Sequence, residues 1–308
     1  MSVTTHGAVA ASVKRPRLSA TAQHALFAYG LVVPTVLLLL GLIGYPFLYA
    51  IFISFTNRVV GNAGHFVGLA NFRFLVNSPD FRASVWNTIT IVVVSDAAKL
   101  AIGLSLALLV NQRLPGRGIF RSILMLPWAM PAFVVFLTWR VIYQPIGGGL
   151  NLILTGAGLY SGYIDWLGER ATALPAVIVA TVWRGFPFWF ISILAALQTI
   201  PGEQYEAARV DGANAWQRFR AVTFPGIRQV VIITTLLSSI WTANSFENVW
   251  LLTQGGPSDS TMVFPVLAYF GMQTMQLGQA AAVSVTMLPV LAILVFAATA
   301  MAQRGAED

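Results

Sequence analysis

Ile200-Pro201-Gly202-Glu203-Gln204-Tyr205-Glu206-Ala207-Ala208-Arg209-Val210-Asp211-Gly212-Ala213-Asn214-Ala215-Trp216-Gln217-Arg218-Phe219-Arg220-Ala221-Val222-Thr223-Phe224-Pro225 differs in kind from the apolar runs on either side of it. Pro201 with Glu203 makes a favourable helix start, because an acidic residue in the first turn meets the positive end of the helix dipole. Gly212 permits the positive φ that stops this helix, and a second helix can begin near Asn214. Pro225 marks the entry to the next apolar segment. The stretch therefore predicts a compact, amphipathic helix–turn–helix. The same residues, with Arg209, Arg218 and Arg220, also fit an ordinary helical loop lying on a membrane surface.

Outward from this stretch the chain turns apolar. Of its 308 residues 57% are hydrophobic and only 9% are charged, against about 25% charged in a soluble domain. So few polar side chains cannot cover a water-facing surface, and lipid is the expected solvent. About 20 apolar residues cross a bilayer core as a helix. That measure gives six candidate spans, at about 25–55, 83–110, 119–143, 172–199, 226–252 and 279–302. Proline and glycine punctuate most of the connections, at Leu114-Pro115-Gly116, at Gln144-Pro145 with Gly147–Gly149, and at Gly255-Gly256-Pro257. Lys14, Arg15 and Arg17 precede the first span as in a signal peptide, but the apolar run exceeds the roughly 7–15 residues of a secretory h-region. It is read as a retained span after a polar tail, residues 1–24.

The basic residues set an orientation. Lys14, Arg15, Arg17, Arg113, Arg117, Arg121, Arg209, Arg218, Arg220, Arg228 and Arg304 fall on one side of the predicted spans. Arg58, Arg73, Arg82, Arg140 and Arg170 fall on the other. The richer side, with both termini, is expected in the cytoplasm of a bacterial or archaeal cell. The net charge of +7 is thereby read as topology signal, and no nucleic-acid partner is expected. There are no cysteines, and His6, His24 and His65 show no ligand spacing, so no metal site is expected.

Glu206-Ala207-Ala208, then Gly212, then Val222-Thr223-Phe224-Pro225 resembles the EAA signature of ABC importer permeases. Val222 and Phe224 stand where that family usually has Ile and Leu. The fuller Tyr205-to-Ala213 string is similar to the carbohydrate-uptake, maltose-permease-like branch. Weaker matches follow in order along the chain: Tyr45-Pro46, Ser54-Phe55, Gly68-Leu69-Ala70-Asn71-Phe72, Gly118-Ile119-Phe120-Arg121 to Leu126-Pro127, Trp183 to Phe188, and Leu252 to Pro257. The resemblance implies an all-α membrane protein: a six-span permease domain over residues 25–308 with a cytoplasmic coupling helix pair at 201–225, in the type I importer fold. It implies that Glu203, Tyr205, Glu206, Ala207, Ala208, Asp211, Gly212, Phe219 and Pro225 make the contact with a separate ATPase.

The same resemblance puts sugar contacts at Thr181, Arg184, Gly185 and Phe188, and at Ser238, Trp241, Thr242 and Ser245. Aromatic faces stack on sugar C–H surfaces, and hydroxyls and an arginine supply directed hydrogen bonds. Plain helix packing is the alternative for Phe188 and Trp241. Arg184 departs from the apolar residue of the maltose-like pattern; Glu247 or another subunit could pair with it, or it could face an anionic or heavily hydroxylated sugar. Asp96 and Lys99, three apart on one helix face, read as a self-neutralising structural pair, with a pathway role as the alternative.

Neither lysine, Lys14 or Lys99, sits in a Gly-Lys-Ser/Thr sequence, so no nucleotide-binding P-loop is present. No paired catalytic carboxylates and no nucleophile–base set appear. The expected partners are a second permease subunit, two ATPase subunits holding ATP and Mg, an extracytoplasmic sugar-binding protein and membrane lipid, with no cofactor on this chain. The competing class is an ion-gradient-driven secondary transporter with Asp96, Lys99, Arg184 and Glu247 as relay groups. A channel would call for a filter sequence or rings of charge, and neither is visible.

Overall fold

The computed structural model describes residues 20–112 and 115–307. The expectations placed on Lys14, Arg15, Arg17 and Arg113, and on most of the 1–24 tail, lie outside the described residues. Among those residues the chain is helical, with isolated β-bridges and no strand. It divides into two units, Met1–Ala50 and Ile51–Asp308.

In the first unit α1 (Ala20–Leu39) continues through a π-helical turn, Leu40–Gly44, into α2 (Tyr45–Ser54). Tyr45 and Tyr49 stack one turn apart, ring centres 6.0 Å from each other.

The second unit carries the remaining helices. A short α3 (Ala70–Asn77) precedes α4 (Pro79–Val110), whose start has Pro79 at the first turn with Asp80 beside it. Next come α5 (Arg117–Ala129) and α6 (Ala132–Ile142), then a short α7 (Gly149–Gly156). The sequence-based span at 119–143 is corrected here: α5 and α6 meet at 90°. Pro131 disfavours helical geometry at the residue before it, and here Met130 is extended at ψ 141°.

Helix α8 (Arg170–Thr199) runs without interruption through Pro175 and Pro187. After it come α9 (Gly202–Val210) and α10 (Ala215–Arg218); a π-helical turn, Phe219–Thr223, joins α10 to α11 (Phe224–Ala243). The second helix of the polar stretch is thus the first turn of a continuous helix over Ala215–Ala243, and Pro225 does not separate them. Pro225 has no N–H for the carbonyl four residues back, and the widened π turn takes up the mismatch.

The fifth expected span, 226–252, is also corrected. It breaks after Ala243, and a separate α12 (Glu247–Leu252) follows. Thr242-Ala243-Asn244-Ser245 is a run of short side chains. The Asn244 amide turns back onto the Ile240 carbonyl at 2.8 Å, competing with the helical ladder. An unexpected α13 (Phe264–Gln273) then packs against α14 (Leu277–Glu307).

Among the described residues four helices, Phe27–Ser54, α4, α8 and Ala215–Ala243, are long and apolar enough to cross a membrane, and the bent α5–α6 pair together passes as a fifth. The sixth expected span falls on α14, whose apolar part is Leu277–Ile293.

The core of the second unit centres on α4 against α8. At their crossing, a Cβ on Gly103 would lie 2.7 Å from Trp189 Cβ and 2.9 Å from the Phe190 backbone nitrogen. Only glycine allows that approach. Trp189, Phe190, Ile193, Leu194 and Ile227 close this part of the core beside the helix pair. At the other end of α8, Val177, Ala180, Val249 and Val266 join α6, α12 and α13. Buried amides pin the connections: Asn71 Nδ2 donates to the Ser54 and Thr56 carbonyls, both at 2.8 Å. Asn151 Nδ2 donates to Ile164 O at 2.9 Å while its Oδ1 accepts from Trp166 Nε1 at 3.0 Å.

Candidate functional site

Two places in this fold hold the residues singled out by sequence. The first lies along α8 and α11. Thr181, Arg184, Gly185 and Phe188 repeat at i, i+3, i+4 and i+7 and share one face of α8, while Ser238, Trp241 and Thr242 share one face of α11 and Ser245 follows just beyond its end at Ala243. The two faces meet. All eight residues line a single cavity of about 80 Å³, with Lys99 of α4, Trp128 of α5 and Phe136 of α6 completing the wall. Arg184 is the fifteenth residue of the thirty in α8, ~22 Å from either end at 1.5 Å per residue, which is mid-bilayer depth for a spanning helix.

Beneath this wall lies a closed polar network. Lys99 Nζ is 3.2 Å from Asp96 Oδ1 and donates to Thr242 Oγ1 at 2.9 Å and to Ser238 Oγ at 3.4 Å. Ser238 Oγ donates to Asp96 Oδ1 at 2.6 Å, and Ser239 Oγ to Oδ2 at 2.7 Å. Both charges are buried. The self-neutralising pair read from sequence is therefore present, and hydroxyls of a second helix complete it, clasping α4 to α11. Lys99 also reaches the cavity, so the structural and pathway readings meet in one residue. Ser239 was not singled out; the Ser238-Ser239 pair inside an apolar segment was its only signal.

Gly185 is explained by Lys99. A Cβ there would stand 2.6 Å from Lys99 Cε and 3.0 Å from Cδ, so the lysine stem lies directly across the glycine. Thr181 Oγ1 donates to Val177 O at 2.7 Å and accepts from Asn248 Nδ2 at 3.1 Å. The aromatic wall is continuous: Phe188 lies 5.0 Å from Trp241 and 6.5 Å from Trp128 between ring centres. Trp241 is 52% exposed, so the cavity opens on the surface of the chain. Trp128 and Phe136 carry no signal in the sequence, because a single straight helix over 119–143 hides the face that the bend between α5 and α6 turns inward.

Arg184 stands apart. Its Nε is buried with no hydrogen-bond partner. Lys99 pairs with Asp96, whereas Arg184 makes no ion pair among the described residues, so the pairing with Glu247 considered from sequence is not formed. Glu247 is exposed at the start of α12.

The second place is the helix pair. Ala213 N bonds Ala208 O at 2.9 Å and Gly212 N bonds Arg209 O at 3.0 Å, the paired 6→1 and 5→2 bonds of a Schellman stop. Gly212 supplies the required left-handed geometry at φ +75°. Asn214 then caps α10 reciprocally: its Oδ1 accepts from Gln217 N at 2.9 Å, and Gln217 Oε1 accepts from Asn214 N at 2.7 Å. Arg218 Nη1 donates to Ala213 O at 2.7 Å, and Tyr205 Oη and Thr223 Oγ1 lie 3.0 Å apart.

These bonds brace the two helices against each other and leave an open outer face. Glu203, Glu206, Ala207, Asp211, Gly212 and Pro225 are exposed, while Tyr205, Ala208 and Phe219 are partly covered. Val210 is 88% exposed and Trp216 68% exposed. Neither was named from sequence, although each is an apolar residue in a polar segment. The pair is braced and carries exposed apolar spots, Trp216 resting by one face on Phe219 with ring centres 5.5 Å apart, which suits docking.

A family model described as "Binding-protein-dependent transport system inner membrane component" matches residues 99–306. A trehalose/maltose transport system permease protein, MalF, of Thermococcus litoralis is 34% identical over 248 residues, 80% of this chain and 83% of that protein. The inner membrane ABC transporter permease protein YcjO of Escherichia coli K12 is 34% identical over 274 residues, 88% of this chain and 91% of its own. Among solved structures, a bacterial ABC transporter involved in the import of the acidic polysaccharide alginate superposes with a TM-score of 0.81 at 24% identity, covering 92% of this chain and 97% of that one. That last likeness is one of fold.

Proposed function

Because the chain belongs to the family of binding-protein-dependent transport system inner membrane components, we propose that it forms one half of the translocation pathway of an ATP-driven sugar importer. The observation that carries the site assignment is the convergence of four residues of α8 with three of α11 and Ser245 just beyond it on a single cavity. Aromatic faces, hydroxyls and a guanidinium on one wall are the chemistry a sugar calls for. A cavity of about 80 Å³ is well below the roughly 300–1,000 Å³ of small-molecule pockets. A second permease subunit supplies the facing wall in this reading, and movement of the helices opens the space between them.

The helix pair at 201–225 docks on a separate ATPase, with Val210 and Trp216 as apolar anchors and the Glu203–Gly212 face around them. Its bracing makes it a lever: closure of an ATPase dimer moves α9, and the continuous helix from Ala215 to Ala243 carries the motion to Ser238, Trp241 and Thr242 as a rigid body. Two ATPase subunits bind and hydrolyse ATP with Mg, and this chain takes no part in the covalent chemistry. An extracytoplasmic binding protein delivers the sugar. The helix pair and both termini face the cytoplasm, as the distribution of arginines implies. The ion-gradient alternative has no support from the family, and its relay loses two members: Asp96 and Lys99 are tied to each other and to hydroxyls, and Arg184 and Glu247 do not meet.

The test exploits the absence of cysteine. Ala207→Cys introduces a single thiol on the exposed face of α9. In membranes holding the assembled transporter, a short bifunctional reagent should join it to a nucleotide-hydrolysing subunit, with a yield that changes on adding ATP. Cysteine placed at Val60, far along the chain from the helix pair, should give no such product. Equal cross-linking from both positions, or none from Ala207→Cys, would remove the docking assignment.

A further inference from the structure

We infer that the sugar this chain accepts carries a negative charge, and that Arg184 is the residue that reads it. The inference rests on the importer reading and narrows its substrate class. Charge counting around the cavity is the starting point. Lys99 and Arg184 both line it; Asp96, behind the wall, neutralises Lys99; no carboxylate lines the cavity, and among the described residues none pairs with Arg184. One positive charge is left over in mid-bilayer.

Hydrogen-bond counting singles out the same residue. The three protons of Lys99 go to Asp96, Ser238 and Thr242, so the lysine has none left for a ligand. The Ser238 hydroxyl proton goes to Asp96 and that of Thr181 to Val177. Arg184 is left with a buried Nε that bonds nothing. An uncompensated charge in a membrane span is costly, and such residues are retained where they serve a pathway. A neutral sugar would leave the guanidinium uncompensated each time the site closed around it. A carboxylate matches it in charge and in planar, bidentate geometry.

The magnitude of the excess also discriminates among anions. One unmatched positive charge balances a monoanion such as a uronate. A phosphate monoester carries about −1.5 to −2 at neutral pH and would leave net negative charge in the low-dielectric site.

The test uses the complete transporter in proteoliposomes with its binding protein, reading sugar-stimulated ATP hydrolysis. The probes are a uronic-acid disaccharide, the neutral disaccharide of the same linkage, and the corresponding sugar phosphate. The uronate should stimulate at the lowest concentration. R184Q should raise its half-maximal concentration about 10- to 100-fold, the value of one charge-assisted contact, and R184K should recover part of the loss. Stimulation of the wild type by the neutral disaccharide as strong as by the uronate, or by the phosphate alone, overturns the inference and leaves the importer reading standing. No stimulation by any of the three sugars overturns both. Should R184Q fail to assemble, the wild-type ranking of the probes and the R184K response still decide the matter.

Discussion

Replacing Lys99 by methionine tests whether the polar clasp between α4 and α11 is held by charge pairing or by the hydroxyls alone. In the wild type Asp96 Oδ1 faces Lys99 Nζ at 3.2 Å and Ser238 Oγ at 2.6 Å, and Oδ2 faces Ser239 Oγ at 2.7 Å, with 6% of the aspartate exposed. Lys99→Met keeps the stem that lies against Gly185 and removes only the charge and its three donated bonds. Breaking a buried pair costs about 3–5 kcal/mol, because the remaining ion is left uncompensated. The two serine hydroxyls stay with Asp96 and offset part of that, so the lower end, about 3 kcal/mol, is expected.

The double variant Asp96→Asn/Lys99→Met leaves no net charge and an amide that those hydroxyls can still satisfy. It should return to within about 1 kcal/mol of wild type, since exchanging a whole buried pair is often neutral. Asp96→Asn alone should lose about as much as Lys99→Met, because it strands the lysine charge, so the cycle predicts a coupling energy of about 5 kcal/mol. Equilibrium unfolding of the purified chain in mixed detergent micelles measures all four members. Additive losses in the double variant would refute the argument, because they would mean that each side chain contributes by packing rather than through the other's charge.

Gly212→Val places a β-branched residue at φ +75° in open space, so the penalty is backbone strain of about 1–3 kcal/mol and not a clash. The chain should still insert and assemble while sugar-stimulated ATPase falls, and Gly212→Asn should retain most of it; a normal response from the valine variant would detach the helix pair from coupling. Gly103→Ala drives a methyl to 2.7 Å from Trp189 Cβ and 2.9 Å from the Phe190 nitrogen. Overpacking of this kind costs about 1–3 kcal/mol, to be read as a lower unfolding midpoint in micelles, and an unchanged midpoint would contradict the α4–α8 crossing. Phe188→Ala and Trp241→Ala each remove half of a ring pair 5.0 Å apart, worth about 0.5–1.5 kcal/mol. Each should raise the half-maximal sugar concentration roughly threefold to tenfold; a fall in stability with sugar response intact would assign the rings to packing only.

Much of this molecule is legible from residue order because its signals are local. Apolar runs of span length follow from the solvent. The Schellman stop at Gly212 follows from one glycine between two short helical segments, and the cap at Asn214 depends only on Gln217 three residues on. The cavity residues at 181–188 and 238–245 are legible only through the resemblance to carbohydrate-uptake permeases, since spacing alone does not tell a pathway face from a packing face. What the chain alone did not decide is each feature that depends on a neighbour's position. The direction of the 90° turn at Met130-Pro131, and hence the presence of Trp128 and Phe136 at the cavity, depends on how α5 and α6 pack on α8. The π turn in Ala215–Ala243 and the end of α11 at Ala243 do have local causes, Pro225 and the Asn244 amide, but neither residue by itself says whether the helix continues or stops. Asp96 and Lys99 announced each other from three residues apart, but their serine and threonine partners are more than 130 positions away, and only folding brings those hydroxyls to them. Folding also decides that Arg184, one turn from Thr181 on the same helix, finds no such partner: its charge is visible in the chain, while its isolation is a fact of three dimensions.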